Sequence, residues 1–230
     1  MTADEIPPYR RWSDKHRSGR VAVQDRYDGL ARASRRIRNV EMVFVPGLVQ
    51  TPEYVRCRMR ENVRFNGEDE SVVEPATEAR LRRQEILADP TRRFEFVVGE
   101  SVLRTLLCPP AVMLRQLDRL TQLIDLPHVT FGIIPFGVEL PVAPQTSFVL
   151  FDDLAIVETF VDETQYRGAQ AAAYHRRADA LLAESVTGDA ARVLLTAAAD
   201  ALRPDALRPD VLRLDALDGP DTPDALGTDA

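Results

Sequence analysis

Two glutamates and a short arginine-glutamine stripe are the side chains of this sequence whose placement points to chemistry. Along Phe94–Glu100, alternation puts Phe94, Phe96, Val98 and Glu100 on one face of an expected strand. Along Ala155–Val161, Ile156, Glu158 and Phe160 share a face in the same way. A carboxylate on an apolar face must find a partner, or its pKa rises, because an ion gives up water at high cost. Glu100 also falls at the carboxyl end of an expected parallel strand, where ligand crevices open in α/β sheets. Such a group can pair with an arginine, hold a ligand's amine, or do acid/base work. The plainer alternative makes Glu100 a strand-end residue near solvent and Glu158 half of a structural ion pair.

Arg80, Arg83, Gln84 and Leu87 fall on one stripe of an expected helix over about 76–88. Turned inward, that stripe faces the two glutamates; turned outward, it is a solvated arginine face. Gln116 lies in phase with Val112, Met113 and Leu120 on a helix over about 110–125. A glutamine there is either a site residue or a hydrogen-bonded member of the core.

Several common chemistries have no signature. The chain has no G-x-x-x-x-G-K-[ST] loop, no G-x-G-x-x-G and no G-x-S-x-G elbow. His16, His128 and His175 sit in different segments, none at metal spacing from another histidine or a cysteine, so neither a metal nor a cofactor is expected. Cys57 and Cys108 are far apart and form no C-x-x-C pair, which fits buried thiols in a reducing compartment. No apolar run approaches the roughly 20 residues of a membrane span and the first residues are polar, so a soluble cytoplasmic protein is expected.

The elements that must position these residues read as follows. A helix is expected over 26–42 and another from Thr51 to about Phe65, with Thr51 as cap, Pro52 in the first turn and Glu53 at the positive end of the helix dipole. The strand at 94–100 and a second at Val129–Phe136 flank helical segments at 101–107 and 110–125, an order that predicts a parallel pair. Ser147–Phe151 and Ala155–Val161 predict an antiparallel hairpin turning at Asp152-Asp153. Helices over about 165–185 and 188–202 close the body. The class is therefore α/β (α+β), a small mixed sheet of about four strands packed with helices. One domain is expected over 21–202, after a disordered basic leader at 1–20 and before a disordered acidic tail at 203–230. That tail carries the decaying repeat Ala-Leu-Arg-Pro-Asp, whose prolines stop a helix.

With 230 residues the chain can bury a full core. A net charge of −7 disfavours nonspecific attraction to nucleic-acid phosphates. Residues 1–40 run against this, with ten basic residues and five acids. They read either as a solvated helix face and leader or as a flank that touches nucleic acid. No self-contained helix-turn-helix can be placed there, so direct DNA binding is not expected.

The segment Val45–Tyr54 brings in a resemblance. Pro46, Gly47, Leu48, Gln50, Thr51 and Tyr54 resemble the Pro-Gly-Leu-Leu-Gln-Thr-x-x-Tyr motif found in the C-terminal domain of Xre-type helix-turn-helix, antitoxin-like transcriptional regulators of actinobacteria. Arg80, Arg83 and Gln84 match that family's Arg-x-x-Arg-Gln motif, and Glu100 with Leu103 its strand-ending glutamate and leucine-bearing turn. Val112, Met113, Gln116, Leu117 and Leu120 match its Val-Met-x-x-Gln-Leu-x-x-Leu motif. Ile133, Ile134 and Pro135 are similar to its later strand. The resemblance covers about residues 20–200; with only about twenty residues before it, the DNA-reading head usual in that family is not expected here. It implies the effector-sensing or partner-binding half of a regulator, in organisms that make specialised metabolites.

The expected function is thus a standalone regulatory module that binds a small-molecule effector, a small protein partner or a headed paralogue; a homodimer stays open. Gln50, Tyr54, Arg80, Arg83, Gln84, Glu100, Gln116 and Glu158 are its candidate ligand-binding residues. The alternative is an enzyme of specialised metabolism that converts a small-molecule substrate, with Glu100 or Glu158 as acid/base and Arg80 or Arg83 orienting an anion.

Overall fold

A computed structural model describes residues 9–11, 19–159 and 162–203; Phe160, Val161, most of the expected leader and the expected tail lie outside it. The described elements are, in order, β1 (Tyr9–Arg11), α1 (Gly19–Ala33), β2 (Arg36–Glu41), α2 (Pro52–Asn66), α3 (Val73–Gln84), β3 (Arg93–Gly99), α4 (Glu100–Arg104), α5 (Pro110–Leu123), β4 (Val129–Ile134), β5 (Phe148–Phe151), β6 (Leu154–Glu158), β7 (Asp162–Tyr166), α6 (Gly168–Ala183) and α7 (Gly188–Ala201).

The strands form one mixed sheet in the order β1-β7-β6-β5-β2-β3-β4. Strands β2, β3 and β4 are parallel; β5, β6, β7 and β1 extend the sheet antiparallel from the other side of β2. The α+β class holds, but the sheet is larger than expected. It has six strands of four or more residues plus the three-residue edge Tyr9–Arg11. That edge strand and the start of α1 at Gly19 fall inside the segment read as a leader.

The largest departure is the expected helix 26–42. Helix α1 stops at Ala33, and 36–41 is a central strand held between β3 and β5. Arg92 donates to the Ala31 and Ser34 carbonyls, closing the helix end from a distant loop. Pairing on both sides then overrides a helical spacing that continued past the break. Strand β7 was also hidden, because Asp-Glu-Thr-Gln-Tyr has no apolar alternation and reads as a helix start. Glu100 does not end β3; it opens α4.

Elsewhere local chemistry decides the elements. Thr51 caps α2 by accepting from the Tyr54 N–H, Pro52 fills the first turn, and Gly67 ends the helix at φ 65°. The turn between β5 and β6 is tight, with Asp152 at φ 47° and its carboxylate accepting the Arg35 and Arg36 N–H groups. Helix α5 buries Met113, Gln116, Leu117, Leu120 and Leu123, the stripe its spacing dictates.

The two faces of the sheet are covered unequally. Ile37, Phe94, Phe96, Val98, Phe131 and Ile156 pack into the larger core with residues of α1, α2, α5 and α7. Val40, Val97, Leu150, Ala155 and Val157 pack into a smaller core with Ala171, Ala178 and Leu181 of α6. Among the described residues no helix is long and apolar enough to cross a membrane.

Candidate functional site

On the larger-core face, the strand registers set a row of polar residues across the sheet. Glu158 of β6 lies opposite Glu163 of β7. The registers Val40↔Phe148 and Phe148↔Val157, extended by one residue, align Glu41 of β2 with Ser147 and Ser147 with Glu158. Three glutamates thus occupy one end of one face. The layer packed over them carries Arg26 on α1, Arg58 on α2, and Arg80 and Arg83 on α3.

The β7 end of this row is paired. Arg26 contacts Glu163 at 2.5 Å, and Glu163 is fully buried. The Tyr27 hydroxyl lies 2.5 Å from Glu158 and 2.9 Å from Glu163, so one proton serves two carboxylates. Burial first, then the charge of Glu158, raises the Tyr27 pKa well above its usual value. Glu158 is itself exposed, at the open end of the row.

The other end is not balanced in this way. Glu41 is 7% exposed. One of its oxygens accepts from Asn39 Nδ2 at 3.2 Å, Ser147 also hydrogen-bonds the carboxyl, and no cation is paired with it among the described residues. Burial pushes its pKa up to about 8; Ser147 and Asn39 pull downward, Glu158 adds to the rise and Arg58 opposes it. Arg58 is half-buried, lies over the Phe44 ring and pairs with Glu61, and burial lowers its own pKa.

Arg83 is the least satisfied cation of the layer. It is 7% exposed and its Nε is buried without a partner. Its guanidinium lies 5.4 Å from the centre of the Tyr27 ring. Burial lowers its pKa, against the pull of Tyr27 and Glu158. A Cβ built on Gly47 would come within 2.9 Å of Arg83 Nη2, so the glycine supplies the space in which this guanidinium lies. Arg80 meets amides rather than carboxylates: it donates to Gln24 at 3.2 Å and to Gln50 at 3.0 Å. Burial, then the charge of Arg83, lowers its pKa to about 9.

The sequence-derived candidates separate into three groups. Arg80, Arg83 and Glu158 come together here, with Gln50 at 2% exposure supporting Arg80. Gln50, Gln84 and Gln116 share a second task, holding the 45–51 loop. Gln50 donates to the Val45 carbonyl, Gln84 to those of Gly47 and Gln50, and Gln116 to that of Val49 while accepting the Thr51 N–H. Tyr54 is a core residue whose hydroxyl accepts the Val45 N–H at 3.4 Å, and burial pushes its pKa up to about 12. The Pro-Gly-Leu-x-Gln-Thr motif is therefore a buried irregular loop whose backbone groups are satisfied by glutamine side chains, as a buried loop requires.

Glu100 stands apart from this group. One of its oxygens accepts from Arg104 at 2.7 and 2.9 Å and the other from the Phe136 N–H at 2.9 Å. Burial works to raise its pKa, but these hydrogen bonds outweigh it and hold the carboxyl below its usual range. An ionised, fully engaged carboxylate at the head of α4 ties the end of β3 to the segment after β4.

Sequence reasoning missed Glu41, Tyr27 and Glu163. Glu41 fell inside the helix expected over 26–42; the signal was the alternation Ile37, Asn39, Glu41, which puts all three on one strand face. Tyr27 and Glu163 carried none, because their meeting depends on β7.

Two recesses lie elsewhere in the molecule, and neither is lined by these candidates. One of about 250 Å3 lies against Phe148, Tyr166, Tyr174 and Arg177 on the α6 side of the sheet. The other, about 550 Å3, opens between α2 and the head of α5 beside Phe65 and the free thiols of Cys57 and Cys108.

No curated protein matches this sequence. A family described as "Domain of unknown function (DUF5753)" matches residues 24–197, from within α1 to within α7. That span takes in the glutamine-held loop, both arginines of α3 and the carboxylate row, and on a match of this extent the chain belongs to the DUF5753 family.

Proposed function

We propose that this domain is a sensing module: it binds a small anionic molecule between the arginines of α3 and the sheet, and its bound state is read by a transcription-control partner. The observation that carries the reading is Arg83. A guanidinium removed from water, with its Nε unpartnered and Arg80 beside it, is costly for the free protein. A carboxylate or phosphate oxygen placed there converts that cost into charge-assisted hydrogen bonds. The half-buried Arg80 and the exposed Glu158 mark the side from which a ligand enters. The regulatory half of the proposal rests on the resemblance of the Val45–Tyr54, Arg80–Gln84 and Val112–Leu120 motifs to Xre-type regulators. In this reading α3 recognises the ligand and the transcription-control partner reads the bound state.

Calorimetric titration of the chain with a panel of small carboxylates and phosphate monoesters tests this. Saturable binding that drops at least tenfold in Arg83→Met, with the melting curve of the free variant retained, is the expected result. No saturable binding by any anion at millimolar concentration sinks the proposal.

One observation favours a second reading, an enzyme of specialised metabolism. Burial pushes the Glu41 carboxyl up to about 8, toward the range in which a carboxyl serves as general acid or base near neutrality. Glu100, held ionised, is a poorer candidate. Turnover of a biosynthetic intermediate by the wild type, lost in Glu41→Gln, would favour catalysis over sensing.

A further inference from the structure

One recess, of about 250 Å3, lies on the α6 side of the sheet, the face opposite the arginines of α3. Helix α6 brings Gln170, Ala173, Tyr174, Arg177 and Leu181 to it, a spacing that puts all five on one stripe. Phe148 of β5 and Tyr166 of β7 form its sheet side. The strand registers bring these two together: Phe148 lies opposite Val157 of β6 and Tyr166 opposite Ala155, two residues along the same face. Ala173 sits in the middle of the α6 stripe, and its single methyl leaves the space open.

The three rings are in mutual contact, with Tyr174 between the others. Its centroid is 5.0 Å from that of Phe148, at 61°, and 5.2 Å from that of Tyr166, at 36°. The two tyrosine hydroxyls are hydrogen-bonded to each other, and burial pushes the Tyr174 pKa up to about 12, so the pair carries no charge. Tyr166 and Tyr174 are only half-buried. A planar ring laid against them removes apolar surface from water and adds the offset or edge contacts that aromatic groups prefer.

The charge of the lining selects the charge of the guest. Electron-rich rings can also hold a cation, but no carboxylate lines this recess and Arg177 does. Arg177 is exposed and enters no ion pair among the described residues; its guanidinium reaches the Ala173 carbonyl of its own helix, at 3.4 Å. Its charge acts on the Tyr174 hydroxyl, so the guanidinium and the rings share one locality. A cationic guest meets that charge with nothing to offset it, whereas an anionic one gains a charge-assisted hydrogen bond. The volume lies below the roughly 300–1,000 Å3 of sites for drug-sized ligands, and suits a single ring.

We propose that this recess is a second small-molecule site, independent of the α3 arginines, and that it takes a single-ring aromatic acid with its ring against Tyr166 and Tyr174 and its carboxylate on Arg177.

Calorimetric titration of the whole chain with benzoate, 4-hydroxybenzoate and phenylacetate tests this, beside two controls, benzamide without the charge and cyclohexanecarboxylate without the aromatic ring. Saturable binding of at least one aromatic acid is expected below millimolar concentration, with both controls at least fivefold weaker. Ala173→Leu fills the recess and removes no contact, and Arg177→Gln removes the charge at an exposed position. Each should weaken that binding at least fivefold with the melting temperature retained, while Arg83→Met leaves it unchanged. Should Ala173→Leu fail to fold, Arg177→Gln and the two controls still decide. Cyclohexanecarboxylate bound as tightly as the aromatic acids overturns the proposal, as does the absence of saturable binding by any of them. Affinity that survives Arg177→Gln and falls in Arg83→Met overturns it too, and assigns the acid to the α3 site.

Discussion

The two faces of the sheet each bury arginines, and they treat them differently. On the α6 side Arg38, 3% exposed, contacts Glu95 at 2.7 Å and Asp179 at 2.7 Å and donates to the His175 carbonyl at 3.2 Å. The Arg38 Nε–H does not point along its line to Glu95 Oε2, so that contact is an ion pair rather than a linear hydrogen bond. Arg36 adds a second cation to Glu95 at 2.6 Å. On the opposite face Arg80 meets two amides and Arg83 an aromatic ring. A cation surrounded by its own carboxylates belongs to the architecture. One desolvated without them is the feature on which the proposed anion site rests.

The comparison is broken or sharpened most strongly by removing one arginine from each face. Arg38→Met leaves Glu95 partly buried and loses the tie between β2 and α6. Arg36 stays on Glu95 and Asp179 is exposed, so the cost falls below the roughly 3–5 kcal/mol of a buried charge left unpaired, and urea denaturation is expected to show a destabilisation of about 2 kcal/mol. Arg83→Met removes a desolvated charge with no carboxylate to abandon. The same measurement is expected to show a change within about 1 kcal/mol, of either sign, while ligand binding is lost. Equal destabilisation by the two variants would mean that Arg83 is a structural residue, and the contrast between the faces would disappear.

Much of this contrast is legible in the sequence, and the illegible part has one cause. Helix α5, the cap at Thr51, the β5–β6 turn and the parallel pair β3–β4 follow from spacing and terminal chemistry. Arg80 and Arg83 were placed on one stripe, which α3 brings inward together with Ala76 and Ala79. The carboxylate side was half found. Glu158 follows from its phase with Ile156, whereas Glu41 fell inside the helix expected over 26–42, because the helical spacing of Tyr27, Ala31 and Ser34 runs on through Ile37 to Glu41. Its burial comes from β3 and β5 on either side, which local spacing cannot show. For the same reason Glu163, fully buried by Arg26 and Tyr27, sits in a polar strand that reads as a helix start. Gln84 and Gln116 show the reverse error. They look like site residues, yet their amides are occupied by the backbone of the 45–51 loop.

The second prediction concerns the sheet side of the polar cluster and is smaller. Folding raises the Glu41 pKa from 4.5 to about 8, so the native state binds a proton that the unfolded chain has released. That contribution is fully present below about pH 4.5, falls as pH rises through the interval, and is gone above about pH 8. The slope is at most about 1.4 kcal/mol per pH unit for one proton. Groups held low, such as Glu100 and Asp89, act in the opposite sense and at more acid pH. Unfolding free energies measured from pH 5 to 8 are therefore expected to fall more steeply for the wild type than for Glu41→Gln. Superimposable profiles would place Glu41 in contact with water and take it out of the buried polar row.

The smallest effect on stability is expected at Gly47, where the most can be learned about position. Its backbone is an ordinary turn of 3-10 helix, outside the left-handed region, so alanine is not strained there. The added methyl meets only the tip of a flexible side chain, Arg83 Nη2 at 2.9 Å, which can move by a few tenths of an ångström. Gly47→Ala should thus change stability by less than about 1 kcal/mol. A guanidinium displaced by that amount no longer presents both nitrogens to one carboxylate, and bidentate recognition depends on that geometry. Ligand affinity should fall several-fold with the Arg38 network intact. Affinity unchanged beside a retained melting temperature would show that Arg83 has freedom the packing of the Pro46-Gly47 turn does not allow it, and would move the anion to Arg80 alone.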